Sequence, residues 1–335
     1  MTSQPADLSS LGAQRDQSRS VGGVRIEDDF AEAFPMYYTR VIVTAADDYW
    51  LAAVRNALTG FGTSVIACDM EIDVEQSLEP EATPDGRPGI QVMAFAMSAG
   101  GLRKKFPVRV GQCVLTCPTA AIFAGNVDPP TNESPAPIGQ SVRFFGDGHQ
   151  ISKKLPGRHV WRVPVMDGEF LCEHNSPIGK GIGGGNFLLL GRSSAAILAA
   201  ARAAIDAIAK LPGVIAPFPG GAARSGSKVG SKYPALMAST NDAYCPTLRG
   251  QVETSLRDDE HAVLEIVLDG QDEAHLSRAI DVGVRAAVRQ VGAAGGLSRI
   301  TAGNYGGKLG PHHFHLHRIL FSDAAEWDVQ DLGTS

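Results

Sequence analysis

The sequence predicts an α/β (α+β) chain of two pseudo-repeated, ferredoxin-like sandwich lobes. Two observations carry this. A strand, helix, strand order occurs twice at comparable lengths, starting at Arg40 and again at Asn186. Each half then holds signals for a second such unit, giving two βαβ units per half. The length of 335 residues fits two domains.

Residues 1–21 are polar and aperiodic and read as a disordered tail. A first lobe is expected over 22–161. Arg40–Thr44 is a β-branched strand, followed by a helix with Trp50, Val54 and Leu58 on one face. Thr59-Gly-Phe-Gly62 ends that helix, and Ser64–Cys68 reads as the next strand. Ile90–Ala96 is a further strand. The helix expected after it is interrupted by Pro107, so that element is open. Pro129–Pro137 is a Pro-rich loop.

The second lobe is expected over 162–325, its boundary placed near Trp161 where Val163-Pro-Val begins a new element. Phe187–Leu190 is a strand, and Ser193 or Ser194 caps an Ala-rich helix carrying Ile197, Ala201, Ile205 and Ile208. Pro212-Gly213 stops it before a short strand at Val214. Ala262–Leu268 is a strand, Leu276, Ile280, Val284 and Val288 form a helical stripe, and Leu297–Thr301 is the last strand.

Composition narrows the function. A formal net charge of −6 argues against sequence-independent nucleic-acid binding, which needs a basic surface. The longest apolar candidate, Phe187–Ala209, is broken by Arg192, Arg202 and Asp206, so no membrane span is expected. The first residues have no apolar core behind a basic start, so a secretory signal is not expected, and five cysteines fit a reducing cytoplasm.

Several motifs carry chemistry. Gly179-Lys-Gly-Ile-Gly-Gly184 satisfies G-x-G-x-x-G, but a strand follows the glycines where a dinucleotide site needs a helix. It reads as a close-packed turn or a substrate-lining loop. Gly221–Lys228 has Ser227 where a P-loop has Lys; Arg224, Ser225 and Lys228 there either hold an anion or form a solvated basic loop. His313, His315 and His317 share one face if the segment is a strand, but no Cys or carboxylate partner lies nearby in sequence. Cys113 and Cys117 match no redox or zinc spacing and read as small apolar packing. Arg87 sits with Asp85 in a rigid Pro-Gly turn, placed either for carboxylate or phosphate contact or for an internal ion pair.

Two features weigh most. Glu265 is the one acid among six apolar strand neighbours. It is either solvated at an edge or held in a partly dry cleft, where its pKa would rise toward neutrality. Ile300–Gly310 sets Asn304 and Tyr305 among glycines, so that it is either a tight strand exit or a grip for a flat polar molecule.

In these segments the chain resembles the formylmethanofuran:tetrahydromethanopterin formyltransferases. The matching stretches include Ile26–Pro35, Thr83-Pro-Asp-Gly-Arg-Pro-Gly89, Gly111–Pro118, Phe144–Gly148, Gly184-Gly-Asn-Phe187, Pro217–Gly221, Ser225–Gly230, Glu265–Gly270 and Ile300–Gly310. Pro164–Cys172 and Ser239–Thr247 look more like the bacterial branch, the transferase subunit of a formyltransferase/hydrolase complex. The histidines at 312, 313 and 315 and the N-terminal tail depart from the methanogen pattern.

The resemblance implies transfer of a formyl group between tetrahydromethanopterin and methanofuran or methylofuran, in the direction of formate, with no tightly bound cofactor and no metal. It implies a homo-oligomer or a hetero-oligomeric formyltransferase/hydrolase complex. Glu265 takes the proton-transfer role of the family's Glu-Ile-Val motif. Asn304, Tyr305, Gly306, Asn186 and Ser225 are expected to line the substrates, Asn304 among the oxyanion donors, while Arg87 and Lys228 are expected to meet acidic carrier tails. Two other readings stand beside this one: a non-catalytic carrier-binding scaffold subunit, and a metal-dependent hydrolase using the histidines.

Overall fold

The computed structural model describes residues 19–322 apart from 64, 67, 156 and 225. The expected tail therefore lies outside the described residues except at its end, where Arg19–Val21 form strand β1 and pair with β2 (Val24–Ile26).

Strand β3 (Phe30–Thr44) is three times the length expected from its β-branched end. Glu32 and Pro35 hide its first half in the sequence. Helix α1 (Asp48–Thr59) is capped by Asp47, whose carboxylate accepts the N–H groups of Tyr49 and Trp50, and it buries Val54 and Leu58. Val65, Ile66 and Cys68 are not part of the strand expected there. Val65 and Ile66 are exposed, and the strand comes later as β4 (Glu71–Leu78). Its acids masked it: Glu71 and Glu75 are both buried, and Glu75 is held by the Arg40 guanidinium at 2.7 and 2.9 Å.

Strand β5 (Gly89–Ala96) follows, then α2 (Ala99–Arg109), which forms despite Pro107. Proline removes one N–H and crowds the preceding turn. The helix runs through the proline and continues as a π-type turn over Val110–Val114, which carries Cys113. Strand β6 (Ala121–Ala124), helix α3 (Ile138–Val142) and strands β7 (Ile151–Leu155), β8 (Arg158–Val165) and β9 (Gly168–Glu173) complete this half. Trp161 lies inside β8, paired with Cys172 of β9.

Strand β10 (Ile178–Gly191) contains the whole Gly179–Gly184 run, which is therefore strand and not the expected turn or loop. The glycines admit neighbours: a Cβ on Gly183 would lie 2.1 Å from Met36 Sδ. Gly184 has φ of +89° at a bulge, a conformation that favours glycine. Helix α4 (Ser194–Ile208) is capped by Ser193, and β11 (Val214–Ile215) follows. A small hairpin, β12 (Ser227–Val229) and β13 (Ala238–Thr240), stands apart from the main sheet. Strand β14 (Ala262–Gly270), helix α5 (Glu273–Gln290), strands β15 (Leu297–Thr301) and β16 (His312–His315) and helix α6 (Leu316–Phe321) end the described chain. His317 thus sits on a helix and does not share a strand face with His313 and His315.

The repeat is visible in the topology. In the first half β3-α1-β4-β5-α2-β6 assembles in the sheet order β6-β3-β5-β4, all antiparallel. In the second half β10-α4-β11-β14-α5-β15 assembles as β15-β10-β14-β11, again all antiparallel. Both are the ferredoxin-like arrangement. The halves fuse because β3 and β10 pair with each other through Phe34–Thr39 and Ile178–Gly183. One core gathers around Phe106, Phe170 and Leu58, the other around Phe187, Leu189 and Ile280. A bridging cluster at the seam includes Met36, Tyr38 and Phe95.

Candidate active site

At this seam lies a cavity of about 290 Å³. Its walls come from both halves: β10, β14 and the loop after β15 on one side, Val65, Ile66, Cys68, Met70, Glu71 and Met97 on the other, with Glu32, Phe34 and Met36 of β3 beneath. Two larger grooves exist. One, in the first lobe, shares no lining residue with the cavity; the other, between α1 and α4, shares only Phe218 and Ala223 with it.

Glu265 projects from β14 opposite Leu188 of β10. Gly303 and Gly226 flank its carboxyl group. A Cβ on either would come within 3.5 Å of Oε1 or 3.7 Å of Oε2. The residue keeps a partly open face toward the cavity, while surrounding protein excludes water from most of it. Burial pushes its pKa up to about 7. The partly dry cleft, not the solvated edge, is the environment observed.

Asn186 holds the start of the glycine-rich loop. Its Nδ2 donates to Gly184 O at 3.2 Å and Gly303 O at 3.0 Å, and its Oδ1 accepts the Gly303 N–H at 2.6 Å. Glu32 holds the rest. Its buried carboxylate accepts the N–H groups of Tyr305, Gly307, Leu309 and Gly310 at 2.5–2.8 Å. Burial pushes the Glu32 pKa up, but the four backbone donors outweigh it, and the group stays ionised below its ordinary range. The loop therefore wraps a fixed anion and presents the half-buried Tyr305 ring to the cavity. Burial, then the charges of Glu265 and Glu32, raise the Tyr305 pKa, so its phenol stays protonated and able to donate.

Not every expected residue reaches the cavity. Asn304 donates to Asp29 Oδ1 at 2.8 Å and to Phe30 O, and its Oδ1 accepts the Gly306 N–H. Asn304 and Gly306 thus brace the loop and do not line the cavity. Arg87 is far from it, bonded to Asp85, Thr44 Oγ1 and Thr119 O, which is the internal ion-pair alternative. Lys228 pairs with Asp242 at 2.6 Å on the surface. Ser225 lies outside the described residues. Glu32 and Glu71 line the cavity without having been singled out. A long-range carboxylate cradle leaves no local pattern, since Glu32 and its donors are more than 270 positions apart.

The histidines do not converge on one point: His313 and His315 both pack on Phe30, while the others have partners of their own. His312 meets Glu273, His313 packs on Phe30 and contacts Gly310 O, and His317 contacts Ile26 O. Cys113 and Cys117 are half-buried against the first core, and burial pushes both thiols up.

Residues 20–165 match the family described as formylmethanofuran-tetrahydromethanopterin formyltransferase, and residues 168–319 match its proximal lobe. The chain belongs to this formyltransferase family. The two matches meet at the turn between β8 and β9. A formylmethanofuran–tetrahydromethanopterin formyltransferase of Methylococcus capsulatus is 54% identical over 300 residues, 90% of this chain and 99% of the relative. A subunit of the formyltransferase/hydrolase complex of Methylorubrum extorquens is 46% identical over 312 residues, 91% of this chain and 99% of that one. Among solved structures, the formyltransferase of Methanosarcina barkeri superposes with a TM-score of 0.83 at 43% identity, covering 90% of this chain and 100% of that one. The formyltransferase/hydrolase complex of Methylorubrum extorquens, determined with methylofuran, gives a TM-score of 0.85 at 45% identity, covering 91% and 99%. Among the described residues, no helix is long and apolar enough to cross a membrane.

Proposed function

We propose that this chain transfers a formyl group between the N5 nitrogen of tetrahydromethanopterin and the amine of methanofuran or methylofuran, with Glu265 as the proton shuttle. The observation that carries this is a glutamate with a pKa raised to about 7 at the wall of a seam cavity, in a formyltransferase chain. In the direction of formate, Glu265 takes a proton from the furan-carrier amine. The free amine attacks the formyl carbon of the formylated pterin, forming a C–N bond and a tetrahedral oxyanion. The attacking nitrogen releases its second proton to solvent, the oxyanion collapses, the bond to the pterin nitrogen breaks, and Glu265 returns its proton to that nitrogen, so one proton is released overall. Atoms and charge balance with no cofactor. The protein supplies alignment, a proton relay and stabilisation of the oxyanion. With Asn304 engaged elsewhere, the Tyr305 phenol is the donor best suited to the oxyanion.

The relative from the formyltransferase/hydrolase complex, and the solved structure of that complex, support assignment of this chain as the transferase subunit of such an assembly; its place of action in this reading is the cytoplasm. The test is an absorbance assay of purified protein with formyl-tetrahydromethanopterin and each furan carrier. Transfer is expected from the isolated chain, and Glu265→Gln is expected to fold normally and lose roughly two decades or more of turnover. A wild-type chain that binds carriers but transfers nothing would be a scaffold, and near-wild-type turnover in the variant would remove Glu265 from the mechanism.

A further inference from the structure

The cavity has an unusual charge balance. Three carboxyl groups line it, Glu32, Glu71 and Glu265, and no Lys, Arg or His does so among the described residues. Glu32 is offset by four N–H donors, and Glu265 is poised near neutrality. Glu71 is different. It is 8% exposed, and its carboxyl group lies in hydrogen-bonding contact with that of Asp269, which is fully buried.

Their four oxygens can be accounted for. Glu71 Oε1 faces Cys68 Sγ at 3.9 Å, and Asp269 Oδ1 accepts the Gly184 N–H at 3.2 Å. Glu71 Oε2 and Asp269 Oδ2 are buried without a donor. Two carboxylates in contact away from water cannot both ionise, so the pair retains one proton as a donor between them. Burial, then the neighbouring Glu71, drives the Asp269 pKa well above its ordinary value, so the proton belongs to Asp269. The pair then carries one negative charge, and Glu71 is the member that reaches the cavity.

We propose that the Glu71–Asp269 acid–carboxylate pair is the counter-charge that recognises the acceptor substrate as a primary ammonium. This rests on the transfer reading above and extends it. The cavity would hold the amine in its charged form beside Glu71 and hand its proton to Glu265, the group poised near neutrality. Asp269 touches no substrate. It is a positioning residue that holds the proton of the pair.

The test uses furfurylamine as probe and furfuryl alcohol as its uncharged counterpart, with binding to the full chain measured by calorimetry. Wild-type protein is expected to bind the amine in preference to the alcohol. Asp269→Asn, whose amide replaces the acid O–H as donor, should keep that preference. The double variant Glu71→Gln/Asp269→Asn, with no charge left in the pair, should weaken amine binding roughly tenfold or more and leave alcohol binding unchanged. Infrared spectra above neutral pH should show a protonated-carboxyl band in wild type that Asp269→Asn removes. Equal amine and alcohol binding by wild type, an unchanged preference in the double variant, or no such band would overturn the proposal. If a variant fails to fold, the wild-type band and preference still decide it. Absence of formyl transfer by wild type, measured separately, counts against the functional reading.

Discussion

Arg87 and Glu265 show how little a residue's type says about its job. Both are charged groups in loosely suggestive motifs, yet only Glu265 faces the cavity. Arg87 spends its donors on Asp85, Thr44 and Thr119, tying the 83–89 turn to β3. Arg87→Ala should therefore leave KM for both carriers within about twofold and cost on the order of 1–3 kcal/mol in chemical denaturation. A raised, salt-dependent KM would return Arg87 to the binding site. Glu265 was legible because an acid in an apolar strand has few explanations. Arg87 was not, because a turn that displays an arginine and a turn that consumes one share the same sequence. Asn304 failed similarly: its amide braces Asp29 and Phe30, partners remote in sequence.

At the scale of elements, the loop after β15 depends on β3. Glu32 supplies the acceptors for four N–H groups that the glycine-rich chain cannot satisfy internally. Glu32→Ala should cost roughly 3 kcal/mol or more, since several buried donors lose an ionised partner. Hydrogen exchange at Tyr305, Gly307, Leu309 and Gly310 should accelerate well beyond that of β14. Retained protection would show that the loop holds itself. The sign with pH follows from the lowered Glu32 pKa: its contribution is full above the ordinary glutamate range and is lost as pH falls through the folded value. Helices α1, α4 and α5 were readable because each has a capping residue and a clear apolar stripe. Strand β4 was misplaced because the apolar residues before it, Val65 and Ile66, serve the cavity, while the strand itself carries buried acids.

The whole molecule is two copies of one topology fused along β3 and β10, and the cavity exists because of that fusion. Buried polar links hold the seam: Glu75 of β4 joins Arg40 and also accepts the Gly213 N–H at 2.6 Å, and Gln271 donates to the Tyr38 hydroxyl at 2.8 Å. The strand–helix–strand repeat was readable from periodicity, whereas the pairing of β3 with β10 joins residues about 140 positions apart and has no local signature. Holding Glu265 in this seam makes its proton exchange near neutrality, and the pH dependence of kcat/KM for transfer from the formylated pterin to the furan carrier reports that directly. In wild type the rate should rise with pH through a midpoint of about 7 as Glu265 becomes able to accept the amine proton, and Glu265→Gln should lose that limb. The same limb persisting in the variant, or a flat wild-type profile across neutrality, would contradict the account.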